Sequence, residues 1–174
     1  MLPDQLREHA LALAVEAFDA DAATGGKFDR GELTLEIAAA KIASVCGFLK
    51  YDQKFVRLSS VTAIDRYPAE PRFEVVYHLH SVEKNQRVRL KCRVNGTDAA
   101  IESVTSVWRG ANWYEREVFD LFGIPFEGHP NLTRLLMWED FPGHPLRKDF
   151  PLDGGDVFCS QDIGASFSPE ARPL

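Results

Sequence analysis

The sequence predicts an α+β fold, a mixed β-sheet flanked by helices with an extended C-terminal arm. Three observations carry this: two segments of two-residue alternation, three stretches with apolar residues at helical spacing, and a C-terminal stretch without periodicity that stays rich in large apolar side chains. The implied division is an α/β core domain over residues 1–126 and an arm over residues 127–174.

In chain order, residues 3–19 read as a helix, with Pro3 in its first turn and Leu6, Ala10, Leu13 and Ala17 on one face. Residues 22–26, which include Gly25 and Gly26, read as its break. A strand is expected from Glu32 to Ile37. A second helix over 38–49 carries the stripe Ala38, Ile42, Val45 and Leu49. Gly47 weakens that helix by about 1 kcal/mol relative to alanine. Phe55 to Asp65 reads as an extended, partly buried strand, and residues 67–71, with two prolines, as a loop.

The alternation is clearest next. Phe73, Val75, Tyr77 and Leu79 fall on one face of a strand, and Glu74, Val76, His78 and His80 on the other. Val88, Leu90, Cys92 and Val94 likewise alternate with Arg87, Arg89, Lys91 and Arg93. The polar connection Glu83-Lys84-Asn85-Gln86 predicts an antiparallel hairpin with a buried face and a basic face that is solvated or covered by a partner. Residues 101–107 read as a short strand, and 109–122 as a helix with the stripe Ala111, Tyr114, Val118, Leu121 and Phe122. Gly123 is placed to end that helix in a left-handed cap, and Pro125 blocks its continuation. Beyond Phe126 the large apolar residues, among them Leu135, Leu136, Trp138, Phe141, Phe150, Phe158 and Phe167, argue against a solvated tail and for an arm that buries them on its own domain or on another chain.

Composition excludes several classes. The chain has 174 residues, 45% hydrophobic and 26% charged, an ordinary globular balance in one domain. A net charge of −6 disfavours phosphate-backbone binding. The three cysteines, Cys46, Cys92 and Cys159, are odd in number and far apart, which favours a reducing compartment and supplies neither a CxxC pair nor the four thiolates of a typical iron–sulfur cluster. There is no GxGxxG, P-loop, GxSxG or HExxH pattern. The N-terminus does not read as a secretory signal, and no apolar run reaches the roughly 20 residues that span a bilayer.

Three constellations stand out. His78 and His80 share a strand face and could begin a metal site, the basis of a stand-alone metal hydrolase. A zinc site needs a third ligand, and no spacing brings His129 or His144 near. Glu115, Arg116, Glu117 and Asp120 crowd one helix, but Glu115 and Glu117 point about 200° apart, so ion pairing across the helix or an interface is favoured over paired-carboxylate chemistry. Arg147-Lys148-Asp149, between Leu146 and Phe150 and among prolines, reads as an extended charged strip suited to docking on a partner. Arg147 is expected outside the core and dispensable for domain stability.

Residues 112–132, NWYEREVFDLFGIPFEGHPNL, closely resemble the signature of the C subunit of NADH:quinone oxidoreductase, the 30-kilodalton subunit family of respiratory complex I. Residues 143–152, GHPLRKDFPL, resemble that family's second motif, and Leu58–Asp65 and Phe73–Leu79 resemble family strands. The resemblance covers about residues 30–152. It departs at Thr133, where the family usually has a basic residue, although Arg134 beside it is basic.

The resemblance implies a non-catalytic structural subunit in the peripheral arm of a proton-pumping enzyme, on the cytoplasmic side of the bacterial inner membrane. No cofactor, metal or catalytic residue is expected in this chain. NADH, FMN, iron–sulfur clusters and quinone would be held by neighbouring subunits. The implied partners are complex I subunits, chiefly D, with B and I nearby. The implied contact residues are Glu115, Arg116, Glu117, Asp120, Phe126, His129, Pro130, Arg134, His144, Pro145, Leu146, Arg147, Lys148 and Asp149. Competing readings are the equivalent subunit of a membrane-bound hydrogenase or ferredoxin-driven photosynthetic complex, the metal hydrolase, and an adaptor outside respiration.

Overall fold

The computed structural model describes residues 3, 6–97 and 99–151. The rest of the expected arm, residues 152–174 with Cys159, Phe158 and Phe167, lies outside the described residues. In chain order the elements are α1 (Ala10–Phe18), β1 (Ala23–Asp29), β2 (Glu32–Ile37), a 3-10 turn (Ala39–Lys41), α2 (Ile42–Tyr51), β3 (Arg57–Asp65), β4 (Phe73–Ser81), β5 (Gln86–Val94), β6 (Ile101–Glu102), α3 (Ala111–Phe122) and β7 (Phe126–Glu127).

Five strands form one mixed sheet in the order β1-β2-β5-β4-β3. β4 and β5 are the expected antiparallel hairpin, with Tyr77 opposite Leu90 and His78 opposite Arg89. β2 joins β5 in parallel, which gives the sheet its mixed character. The apolar set of the alternation (Phe73, Val75, Tyr77, Leu79, Val88, Leu90, Cys92, Val94) faces a core with Leu33, Leu35, Val61 and Ala63, and buried residues of all three helices join it. The helices therefore cover one face of the sheet, as alternating strands require. Cys46 and Cys92 are free and buried there.

The N-terminal region departs from the sequence reading. The first helix is shorter, and it buries Leu11, Ala12 and Val15 while Ala10, Leu13 and Ala17 face solvent. Residues 22–26 belong mostly to strand β1. Gly26 permits this: a Cβ there would lie 2.5 Å from the Thr34 carbonyl oxygen and 2.8 Å from Leu6. Gly26 thus marks a close backbone approach inside a strand. The strand expected over 101–107 is only Ile101–Glu102, paired in parallel with β7.

Candidate functional site

α3 packs on β3 and ends where the arm begins. Its buried residues Ala111, Glu115, Val118 and Phe122 follow helical spacing, so Glu115 occupies a core position. Its side chain is wholly covered. The carboxylate accepts hydrogen bonds from the Ser103 hydroxyl at 2.6 Å and the Val104 amide at 2.7 Å. Burial pushes its pKa up to about 7, against these two bonds, which act to lower it. It makes no ion pair among the described residues; it fastens the loop after β6 to the helix.

Asp120 is also fully covered, and its environment has the opposite effect. One carboxylate oxygen accepts the amides of Leu135, Leu136 and Met137 at 3.0, 2.7 and 2.8 Å; the other accepts from Arg134 at 3.0 Å. Burial alone would raise its pKa, but the three amides and the guanidinium prevail and hold it below the usual carboxylate range. Arg134 also donates to the carbonyls of Phe141 (2.9 Å) and Gly143 (3.2 Å). Arg116 donates to the carbonyls of Thr133 and Arg134, both at 3.0 Å, and stacks on Trp113. The contact at position 133 therefore uses the backbone, which every residue type supplies.

The helix C-terminus ties the two sequence motifs together. Gly123 adopts φ 70° and ψ 33°, the expected left-handed cap. The last carbonyls of a helix lack intrahelical partners, and the arm supplies them. His144 Nδ1–H donates to the Asp120 carbonyl at 2.9 Å, the Leu146 amide to Leu121 at 3.0 Å, and Arg147 to Phe122 at 2.6 Å and Gly123 at 3.3 Å. A cation at this end also opposes the helix dipole. Arg147 thus lies within the folded unit, over the Phe73 ring, and not outside the core as expected. A side chain on Gly123 would collide with His144 and Arg147.

A second tie joins the arm to the sheet. Arg72 bridges two carboxylates, Asp65 at 3.0 and 2.8 Å and Asp149 at 2.9 and 2.6 Å. Asp65 also accepts the amides of Tyr67 and Lys148. Burial would raise the Asp65 pKa, but Arg72 and the two amides hold it near 2. His129 bridges the Asn112 carbonyl and the Asn131 amide.

Of the sequence-named contact residues, Glu115, Asp120 and Phe126 are buried within this chain, and Arg116, His129, Arg134, His144, Arg147 and Asp149 bond to its own groups. Glu117, Pro130, Leu146 and Lys148 are exposed, and Pro145 is half-buried. Asp65 and Arg72 escaped sequence reasoning: they stand 83 and 77 residues from their arm partners Lys148 and Asp149, on either side of a loop with no motif of its own. So did the exposure of Trp113; it and the arm residues Leu136, Trp138 and Leu146 are each half or more exposed.

On the open sheet face, His78 is held between Arg89 and Ser60. Arg89 Nε donates to His78 Nε2 at 3.0 Å, so the other ring nitrogen carries the proton and donates to Ser60 Oγ, also at 3.0 Å. That tautomer cannot take a proton from Ser60. Among the described residues no group of three or more His, Cys, Asp or Glu could hold a metal.

Residues 35–156 match the family model described as the 30 kDa subunit of respiratory-chain NADH dehydrogenase. An NADH-quinone oxidoreductase C subunit of Geobacter sulfurreducens is 48% identical over 128 residues, covering 73% of this chain and 79% of the relative. A C subunit of the same enzyme from Rhizobium meliloti, numbered 2 there, is 49% identical over 145 residues, covering 82% and 79%. Among solved structures, a trypsin-resistant fragment (1-134) of Nqo5 superposes with TM-score 0.61 at 31% identity, over 70% of this chain and 98% of the fragment. A chain of the membrane-bound sulfane sulfur reductase, an archaeal respiratory membrane complex, superposes with TM-score 0.72 at 28% identity, over 94% and 96%. With its two signature motifs interlocked at the end of α3, the chain belongs to the 30-kilodalton subunit family of respiratory-chain NADH dehydrogenase, the family of the NADH-quinone oxidoreductase C subunits.

Proposed function

We propose that the chain is a non-catalytic structural subunit of the peripheral arm of a proton-pumping NADH:quinone oxidoreductase. It holds together the quinone-reducing module, with the D subunit as chief partner and the B and I subunits nearby. The observation that carries this reading is the division of labour around α3. The polar groups of the helix end and arm largely satisfy one another, while Trp113, Leu136, Trp138 and Leu146 stay exposed. Large exposed aromatic and aliphatic side chains on a rigid support suit a protein interface. NADH, FMN, the clusters and quinone belong, on this reading, to the neighbours. Attachment is peripheral, on the cytoplasmic side of the inner membrane; among the described residues no helix is long and apolar enough to cross a membrane.

A second reading keeps the scaffold role but changes the electron donor, and the likeness to the sulfane sulfur reductase chain favours it. The relatives named as NADH-quinone oxidoreductase subunits are closer in sequence, at 48% and 49% against 28%. Affinity purification of the tagged chain from its native membranes separates the two. A co-purifying flavin-binding NADH module supports the first reading. A nickel–iron large subunit or ferredoxin-linked module without it supports the second. Recovery without respiratory subunits overturns both.

A further inference from the structure

The open face of the sheet carries a feature separate from the ties around α3. Three of the four basic residues on β5 have acidic partners: Arg89 with Glu32 at 2.9 Å, Lys91 with Glu74 at 2.6 Å and Arg93 with Glu36 at 3.5 Å. Arg87 has none among the described residues. Across the sheet His80 pairs in register with Arg87 on one side and Arg57 on the other, so the three side chains share one row on one face. Arg57 also lacks a partner among the described residues. Neighbouring strands lie about 4.8 Å apart, so the two arginine backbones stand about 10 Å apart with His80 between them. The Nε2 atom of His80 is covered and has no hydrogen-bond partner. Few buried polar atoms go unpaired, so this one is informative.

This row lines a cavity of about 410 Å³, within the range of small-molecule sites. β3 has a register shift between Leu58 and Ser60, which sets Ser59 outside the regular ladder at the cavity wall. Such bulges gather beside functional sites. Glu32, the acid at the cavity, is already engaged by Arg89.

We propose that this cavity binds a phosphate-bearing ligand, with the phosphate over His80 between Arg57 and Arg87. The guanidiniums of Arg57 and Arg87 and the hydroxyl of Ser59 are the accessible donors here, of the kind a phosphate takes. The site is independent of the subunit's scaffold role. A soluble phosphate and a lipid headgroup share this chemistry, and an acidic protein segment is the competing occupant.

The test is titration of the full-length chain with inorganic phosphate, with phosphatidylcholine vesicles with and without phosphatidic acid, and with polyglutamate. His80 ring resonances and calorimetry are the readouts. The expected result is saturable phosphate binding that perturbs His80, at least about tenfold weaker in Arg57→Gln/Arg87→Gln. Binding confined to phosphatidic acid vesicles, weakened equally by the double variant, supports the site with a lipid source. If the double variant does not fold, Arg87→Gln alone serves the same comparison. No binding of either phosphate form, binding unchanged in the variants, or binding of polyglutamate alone overturns the proposal.

Discussion

Replacing Asp120 by asparagine removes one charge and changes almost no volume, so it isolates what the carboxylate contributes. The carboxylate accepts four hydrogen bonds, three from consecutive amides of the arm and one from Arg134. Asparagine has one oxygen. Turned toward the amides, it leaves its NH2 facing the guanidinium of Arg134, donor against donor. One charge-assisted bond, worth roughly 1.5–3 kcal/mol, is lost, and the three that remain weaken to neutral strength. The expected destabilisation is about 3 kcal/mol, or a fall in Tm of about 6–12 °C for a chain of this size. Urea unfolding measures the first quantity. Limited trypsin digestion reports whether the arm has lifted, through cleavage after Arg134, Arg147 and Lys148. A loss of less than about 0.5 kcal/mol with an unchanged digestion pattern would refute the idea that this carboxylate anchors the arm.

Glu115→Gln should stabilise the chain above pH 7 and matter little near pH 5. The folded pKa of about 7 lies above the ordinary value of 4.5, so ionisation costs stability as pH rises through that window; paired melting curves at pH 5 and pH 8 check the sign. Asp65 behaves in the reverse sense. Its folded pKa near 2 is below its ordinary 3.8, so it contributes about 2 kcal/mol above pH 4 that is lost as pH falls toward 2; Asp65→Asn should flatten that part of the stability profile. Gly123→Val should cost more than about 3 kcal/mol, through a β-branched residue at φ 70° and a collision with His144 and Arg147; chemical denaturation that matches the parent chain would refute the dual role of this glycine.

The hairpin of β4 and β5 was legible because Phe73, Val75, Tyr77 and Leu79, and again Val88, Leu90, Cys92 and Val94, recur with a period of two and a polar turn joins the two segments. The cap at Gly123 was legible because glycine followed by a nearby proline has few other uses. β1 was not, because its sequence, ATGGKFD, carries a loop's composition, and only the approach of Thr34 and Leu6 explains Gly26. The parallel pairing of β2 with β5 joins segments far apart in the chain, Leu33 with Val88 for example, and leaves no local signal. At the site, the buried state of Glu115 could have been read: it sits on the stripe Ala111, Val118, Phe122, where a carboxylate is out of place on an apolar face. The burial of Asp120 could not, since it depends on where the arm folds back. The polar residues of the two motifs read as contacts for other chains; within this chain, Asp120, Arg134, His144 and Arg147 bond the helix end to the arm.

The most direct measurement replaces the native chain in its complex by Leu136→Asp/Trp138→Asp/Leu146→Asp and scores two quantities separately: the fraction of peripheral arm assembled, and the NADH:quinone turnover per assembled complex. All three positions are exposed, so the chain itself should remain folded. The expected result is a large loss of assembly with unchanged turnover in whatever complex forms. Full assembly with normal yield, or intact complexes that have lost turnover, would contradict a scaffold that works by holding its neighbours in place.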